Sequence, residues 1–143
     1  MKLIENKKLH LTYIISKTYE AGVELFGHEV KSLRAKQGSL EGAKVIVRGG
    51  EAFLVGVYIG AYQPANTEKS YDPYRTRKLL FNKKEIIDLY EIDKAKTLTL
   101  HPISLYTKGN LIKCDVGVCK KKDAHDKREN IKKDIARREL RNN

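Results

Sequence analysis

The feature that most constrains this fold is a pair of glycines between two β-rich runs. Gly49 and Gly50 separate KVIVR at 44–48 from EAFLVGVYIGAY at 51–62. A type I′ turn needs a positive φ at both central residues, so two glycines at this place predict a β-hairpin. Because a two-residue turn joins antiparallel strands, the pair also indicates an antiparallel sheet.

Alternating apolar residues predict further strands around this hairpin. The other predicted strands are 9–16, 21–26, 96–101, 104–107 and 111–119. Lys108-Gly109-Asn110 separates the last two of them and predicts a second hairpin. In the final strand, apolar side chains recur at every second position from Ile112 to Val118. One face of that strand is therefore expected to pack in the core and the other to face solvent.

Two segments break the strand pattern and predict short helices. HEVKSLRAKQ at 28–37 carries apolar residues three apart among charged ones. NKKEIIDLYE at 82–91 opens with Asn82 as N-cap and has Glu85 three residues later, the spacing of a capping box. With six or seven short strands and two helices, residues 1–119 are predicted to form one mainly β body, a small closed antiparallel barrel.

The charge balance points to an anionic partner. Twenty-nine Lys and Arg against 18 Asp and Glu give a net charge of +11 over 143 residues. A strongly basic domain is typical of nucleic-acid binders, although a solubilising surface is the alternative explanation. Eight Tyr and three Phe supply rings that serve as core or as stacking faces for bases.

The motifs that the chain lacks reduce the number of function classes to consider. The chain contains no catalytic signature such as GxSxG, HExxH, a Walker A motif or GxGxxG, and its four histidines lack metal-ligand spacing. We therefore expect no enzyme, no cofactor and no metal. Cys114 and Cys119 are expected to be free thiols, and Glu20, Glu24 and Glu29 to be surface charges. Without a long apolar run or a signal sequence, a cytoplasmic protein without a membrane partner is expected.

The composition changes at Lys120. From there to Asn143 the chain has 10 Lys and Arg against 5 Asp and Glu, with no Gly, Pro or aromatic residue. Helix propensity is high in this segment, but its apolar residues form no single stripe that could pack on the barrel. Residues 120–143 are predicted to be a basic, disordered tail, either a solvated extension or a segment that folds on an anionic partner.

Three basic clusters outside the tail are candidates for RNA contact. They are Arg75, Arg77 and Lys78 at the end of a long polar loop at 63–78; Lys31, Arg34 and Lys36 on the first helix; and Asn6, Lys7 and Lys8 near the N-terminus. Arginine forks match phosphate oxygens, and alternate residues of an extended segment point along one ridge. Tyr71 and Tyr74 could stack on exposed bases. For every cluster, a plain solvated surface is the alternative.

Six stretches, in order along nearly the whole chain, resemble the family of SsrA-binding proteins (SmpB), the partners of transfer-messenger RNA (tmRNA). They are NKK at 6–8, YEAG at 19–22, HEVKSLRA at 28–35, GEAFL at 50–54, DPYRTRKLL at 72–80 and HDKR at 125–128. EVKSLR, RTRKLL and the terminal DKR together are highly specific for this family. The chain departs from the usual family pattern at Leu11, where a His is common, and at Lys121-Lys122-Asp123, where Gly-Lys-Lys is usual.

The resemblance implies an OB-fold-like barrel whose disordered tail becomes helical on the ribosome. It implies an adaptor for trans-translation that binds the tRNA-like domain of tmRNA and delivers it to stalled ribosomes. There the tail enters the empty mRNA channel, which allows peptide tagging and ribosome rescue. Elongation factor Tu is implied as a further partner through aminoacylated tmRNA, whereas DNA and membranes are not.

The resemblance also implies site residues. Asn6, Glu20 and Leu80 match positions tied to RNA binding, and Arg75, Arg77 and Lys78 lie in the matching basic block. In the tail, Asp126, Lys127 and Arg128 match the motif used at the decoding centre. The remaining predicted ribosome contacts are Lys120, Lys121, Lys122, Lys132, Lys133, Arg137 and Arg138.

Two other functions stay open on the sequence alone. A general single-stranded RNA-binding or ribosome-associated OB-fold protein would bind without regard to a tRNA-like shape. An RNA-processing enzyme would turn RNA over, with or without a divalent metal.

Overall fold

The structure is a computed structural model, and it describes residues 1–63 and 70–122. Three helices and nine strands lie within these ranges. In chain order they are β1 (Lys2–Glu5), α1 (Leu9–Thr12), β2 (Tyr13–Val23), α2 (Gly27–Arg34), β3 (Gly38–Ser39), β4 (Lys44–Arg48), β5 (Glu51–Val55), β6 (Tyr58–Ile59), β7 (Arg77–Leu80), α3 (Lys83–Ala95), β8 (Thr99–Lys108) and β9 (Leu111–Lys121).

The main sheet closes into a ring. Its strand order is β1-β8-β4-β5-β7-β2-β9, and β8 pairs with β9 as well, so the ring has β1 as an appendage on β8. Every pairing is antiparallel. A two-stranded sheet of β3 and β6 lies beside it. The prediction of a mainly β, closed antiparallel fold with a few short helices is thereby confirmed.

Both predicted hairpins are present. Arg48 pairs with Glu51 across the first turn, where φ is +60° at Gly49 and +76° at Gly50. These are the left-handed values that a type I′ turn requires and that glycine adopts at no steric cost. Lys108 pairs with Leu111 across the second turn.

The predicted strand boundaries are wrong in three places. Residues 9–12 form the single helical turn α1, which carries the chain from β1 on the edge of β8 to β2 beside β9. Of the segment predicted at 21–26, residues 21–23 are the end of the long strand β2, which passes a bulge near Ser16 without stopping, and residues 24–26 lie outside any strand. Likewise, the two strands predicted on either side of Pro102 are one strand, β8, with an irregularity between Pro102 and Ser104. A bulge keeps the strand continuous where pairing is locally lost.

The two predicted helices are confirmed, and the capping box of α3 has the expected geometry. The Asn82 side chain accepts a hydrogen bond from the Glu85 N–H at 2.8 Å, and Glu85 Oε1 accepts from the Asn82 N–H at 3.3 Å. Phe81 and Ile86, on either side of this cap, pack against the core. The first four N–H groups of a helix have no acceptor within the helix, and this box satisfies two of them, so it fixes where α3 begins.

The core fills the inside of the ring. Its buried side chains include Leu54 on β5, Leu79 on β7, Leu105 on β8 and the alternate apolar positions of β9. The one-sided pattern predicted for the last strand is therefore confirmed from Ile112 to Val116, whereas Gly117 and Cys119 on the opposite face are buried as well. Both cysteines are free and buried, as predicted.

The body extends beyond the predicted boundary at residue 119. Strand β9 continues through Lys120 and Lys121, which pair with Ile14 and Tyr13. Lys122 then bonds to α1: its N–H donates to Thr12 O at 2.9 Å, and its Nζ donates to His10 O at 2.5 Å. The strand is longer than its pattern of apolar residues indicates. Backbone pairing with β2 holds the two exposed lysines in the sheet, although their side chains are not buried. The rest of the predicted tail, residues 123–143, lies outside the described residues. None of the helices in the described ranges is long and apolar enough to span a membrane.

Candidate nucleic-acid interface

A buried carboxylate organises the side of the barrel that faces α2. Glu29 is 0% exposed, which overturns the expectation that it is a surface charge. Its Oε1 accepts the Phe26 N–H at 2.8 Å and so caps the start of α2. Arg75 donates to both oxygens of this carboxylate, with Nε at 3.1 Å from Oε2. Arg77 donates to Oε2 through Nε at 3.0 Å and Nη2 at 2.5 Å.

The remaining polar atoms around this carboxylate are also satisfied. Arg77 Nη1 donates to Val57 O at 2.7 Å, and Nη2 donates to the Tyr71 hydroxyl oxygen at 3.1 Å. That hydroxyl lies 2.9 Å from both Glu29 Oε2 and Ile59 O. A buried charge is tolerated only when it is paired and hydrogen-bonded, and this arrangement meets both conditions. We call Glu29, Tyr71, Arg75 and Arg77 the Glu29 cluster.

The cluster shifts two pKa values in opposite directions. Burial by itself would raise the pKa of Glu29, but the hydrogen bonds from Arg75, the Phe26 N–H and Arg77 outweigh it and lower the pKa to about 2. For Tyr71, burial and the neighbouring Glu29 carboxylate raise the pKa to about 12. At neutral pH the cluster therefore holds one anion, two cations and a neutral phenol.

The lowered pKa of Glu29 predicts an acid-sensitive contribution to stability. The unfolded chain takes up this proton near the ordinary pKa of 4.5, whereas the folded protein takes it up only near 2. The stabilisation is fully present above pH 4.5 and is lost as the pH falls towards 2. A carboxyl ¹³C titration of the folded protein, with the signal assigned by Glu29→Gln, should show a midpoint near pH 2. A midpoint near 4.5 would show that the arginines do not hold this carboxylate ionised.

The structure corrects the prediction that Arg77 contacts RNA phosphates from the mouth of a loop. Arg77 belongs to β7, is 0% exposed and has its guanidinium fully engaged, so a phosphate cannot reach it. Arg75 is partly exposed and its guanidinium lies 3.8 Å from the ring centre of Phe26. Lys78 reaches the surface, where its Nζ pairs with Glu51 Oε1 at 3.0 Å. In the basic block, Arg77 is therefore buried, whereas Arg75 and Lys78 reach the surface.

Lys36 also has a role different from the one predicted. The helix α2 ends at Arg34, and Lys36 follows it with a left-handed φ of +61°. Its Nζ donates to Lys2 O and Leu3 O, both at 3.0 Å. Lys36 therefore holds β1 against the end of α2, whereas Lys31 and Arg34 are exposed on the helix, as predicted.

The other predicted body residues lie on the surface in separate places. Asn6 is half-buried, with its amide 3.5 Å from Leu40 O, and Lys7 and Lys8 beside it are exposed. On β2, Glu20 accepts hydrogen bonds from the Tyr106 hydroxyl and from Lys108 Nζ at 3.2 Å. These two bonds lower the pKa of Glu20. Leu80, at the end of β7, is 47% exposed.

Exposed aromatic rings lie close to the Glu29 cluster. Phe26 is 51% exposed and Tyr74 is 58% exposed. The Tyr74 and Tyr58 ring centres lie 5.3 Å apart, and Lys31 Nζ lies 6.0 Å from the ring centre of Tyr62. The predicted stacking role fits the exposure of Tyr74 but not Tyr71, whose hydroxyl is held inside the cluster.

Comparisons with known proteins agree over almost the full length. The family description "SmpB protein" matches residues 3–143. The chain belongs to the SmpB family. The SsrA-binding protein of Mesoplasma florum is 46% identical to it over 137 residues, which cover 95% of this chain and 92% of the relative. The SsrA-binding protein of Mycoplasma mycoides is 41% identical, covering 98% of this chain and 95% of the relative.

A solved SmpB structure gives the same result for the fold. A chain from "tmRNA-SmpB: a journey to the center of the bacterial ribosome" superposes with a TM-score of 0.71 and 36% identity. The match covers 89% of this chain and 92% of that chain. The family resemblance read from the sequence is thereby confirmed.

Sequence reasoning missed Glu29 and its partners as a unit of this SmpB-family fold. Glu29 and Arg77 are 48 residues apart, and no local pattern links them. One signal was available: Glu29 stands in the first turn of the predicted helix, where a carboxylate can cap the N-terminus. Across residues 1–63 and 70–122, no group of three His, Cys, Asp or Glu is placed to hold a metal ion.

Proposed function

We propose that this protein is a tmRNA-binding adaptor for trans-translation. It binds the tRNA-like domain of tmRNA, delivers it to stalled ribosomes and allows peptide tagging and ribosome rescue. The observation that carries the proposal is the SmpB-family match over residues 3–143, together with a solved tmRNA–SmpB relative of the same fold. The net charge of +11 suits a partner made of phosphates.

The body and the tail have different tasks in this proposal. On the body, the surface residues Asn6, Lys7, Lys8, Glu20, Lys31, Arg34, Lys78 and Leu80 are accessible for RNA contact. Arg75 and Arg77 act mainly by holding the segment before β7 in place. Glu20 is already an acceptor for Tyr106 and Lys108, so it orients donors and does not attract phosphates. The tail motif Asp126-Lys127-Arg128 contacts the decoding centre, within an mRNA channel lined by anionic RNA.

Three further elements belong to the proposal. The protein has no catalytic activity of its own and works in the cytoplasm. Elongation factor Tu joins the complex by binding the aminoacylated end of tmRNA and not through a site on this chain. The family relation to SsrA-binding proteins supports the first two, whereas elongation factor Tu rests on the resemblance of the sequence motifs to that family.

RNA binding is tested with two RNAs of similar shape and with an unstructured RNA of the same length. Gel-shift titrations of the full chain should show tight binding to the tRNA-like domain of tmRNA and much weaker binding to an ordinary tRNA. Equal affinity for tRNA and for an unstructured RNA of the same length would instead favour a general single-stranded RNA-binding protein. RNA cleavage during the incubation would favour an RNA-processing enzyme.

Lys78 provides a residue-level test with a matched partner. Lys78→Ala should lower the magnitude of the salt slope of RNA binding by roughly 0.7–0.9, the value for one phosphate contact. Glu51→Ala removes the carboxylate that competes for Lys78 and should strengthen binding at low salt. Affinity measured at several salt concentrations gives both results. If the slope is the same for both variants and for the unchanged protein, Lys78 is not at the interface.

A further inference from the structure

Two neighbouring clefts lie on the barrel, one lined by residues of α1 and the other by residues at the end of α3. The first, of about 360 Å³, is lined by Asn6 and Lys8, among others. The second, of about 380 Å³, is lined by Lys44 and Lys96, among others. Tyr13 and His101 line both clefts, so the two are joined along one aromatic wall. We call the joined clefts the Tyr13–His101 groove.

The aromatic wall is fixed and uncharged. The ring centres of Tyr13 and His101 are 4.4 Å apart, with an angle of 39° between the ring planes. His101 Nδ1 lies 3.2 Å from Ala43 O, and because a carbonyl only accepts, this nitrogen carries the proton. Nε2 therefore accepts from the Thr99 hydroxyl at 2.9 Å. Burial lowers the pKa of His101, which keeps the ring neutral at physiological pH.

Only some of the cations around this wall form an ion pair. Two cations at the groove already have anions: Lys8 Nζ lies 3.9 Å from Glu41, and Arg48 Nη1 lies 2.9 Å from Asp93. Lys44 and Lys96 are exposed and have no ion pair within the described part of the chain.

Two further features favour the binding of an anion in this groove. Lys96 caps the end of α3 with a left-handed φ of +60°, which fixes its backbone at the rim. Lys121, opposite Tyr13 in the β2–β9 ladder, adds positive charge nearby.

We propose that the Tyr13–His101 groove binds an unstacked stretch of RNA, with a base against the two rings and flanking phosphates at Lys44 and Lys96. The inference rests on the proposed RNA-binding function and adds a site to it. The aromatic rings can stack on a base, the lysines of the cleft repel a cation, and two unpaired lysines favour a phosphate chain over an apolar ligand. The chain's own segment from Lys120 onward is a poor occupant, since it has 10 basic and only 5 acidic residues.

The test uses charge-matched variants and two RNA sources. Lys44→Ala and Lys96→Asn remove the groove cations, and asparagine tolerates the left-handed backbone at 96. Lys83→Ala and Lys84→Ala remove exposed lysines from the opposite end of α3 and serve as controls. The affinity for the tRNA-like domain of tmRNA and for small ribosomal subunits is measured at several salt concentrations. The comparison shows which of the two supplies the RNA that the groove binds.

On one of the two RNA sources, each groove variant should lower the salt slope by roughly 0.7–0.9 while the α3 controls do not. Tyr13→Leu should weaken binding to the same source by about 5- to 150-fold without changing the slope, because stacking on one base is worth about 1–3 kcal/mol. Tyr13→Phe should restore it. Melting curves identify any variant that fails to fold, and the lysine variants test the site independently of Tyr13.

Two negative outcomes have different meanings. If the unchanged protein binds neither RNA source, the proposed function itself is wrong. If it binds, but the groove variants behave like the α3 controls on both sources, the groove is not an RNA site while the proposed function stands.

Discussion

Replacing Glu29 by alanine should lower the free energy of unfolding by about 3–5 kcal/mol, because it leaves the fully buried guanidinium of Arg77 without an anion. Arg75 and the Phe26 N–H would lose the same acceptor. The loss corresponds to a fall in melting temperature of roughly 10 °C or more for a domain of this size. Urea or thermal denaturation measures it.

Glu24 supplies the matched control. It is a glutamate near the same helix, and it is exposed. Glu24→Ala should change the free energy of unfolding by less than about 0.5 kcal/mol, as is usual for surface substitutions. In the double variant Glu29→Ala/Arg77→Ala the loss should be smaller than the sum of the two single losses, because no uncompensated guanidinium remains at 77. Equal and small losses for Glu24→Ala and Glu29→Ala would mean that the cluster does not stabilise the fold.

Removing residues 123–143 should abolish peptide tagging while leaving the fold and most of the RNA affinity intact. The last strand ends at Lys121 and Lys122 closes onto α1, so a chain ending at Lys122 keeps every described contact of the body. The tail carries the motif assigned to the decoding centre, and its seven Lys and Arg against five Asp and Glu leave it net positive, which suits an RNA-lined channel. Gel-shift and tagging assays on the same truncated protein separate the two tasks.

A second truncation tests where the body ends. A chain ending at Cys119 also loses the pairing of Lys120 and Lys121 with β2 and the two hydrogen bonds of Lys122. Since each hydrogen bond contributes about 0.5–1.5 kcal/mol, this chain should be less stable than the one ending at Lys122 by roughly 1–3 kcal/mol. Equal stability of the two would move the boundary back to residue 119.

Tagging by the chain ending at Lys122, or loss of its RNA binding, would contradict the division between body and tail.

Local signals predicted those parts of the fold that local chemistry determines. The turn at Gly49-Gly50 needs two residues with positive φ, and the sequence shows two glycines there. The start of α3 depends on Asn82 and Glu85, three residues apart, and their spacing is readable directly. Fold class and family followed from such signals, together with motifs spread along the chain.

The remaining features depend on long-range contacts that no short window contains. Nothing near Arg77 in sequence reveals that its partner is Glu29, so a basic block that looks like a phosphate site contains a buried ion pair. The continuity of β2 and β8 through their bulges is decided by pairing with β9. Lys36 could not be told from an exposed helix lysine, because its acceptors are backbone carbonyls of β1.

The most direct test of the adaptor function is a reconstituted tagging reaction on ribosomes stalled at the end of a message without a stop codon. Aminoacylated tmRNA and elongation factor Tu are supplied, and this protein is either added or left out. The nascent peptide should acquire the tmRNA-encoded tag only when the full chain is present. Tagging that proceeds equally well without the protein, or that fails although the protein is folded and bound to tmRNA, would contradict the proposed function.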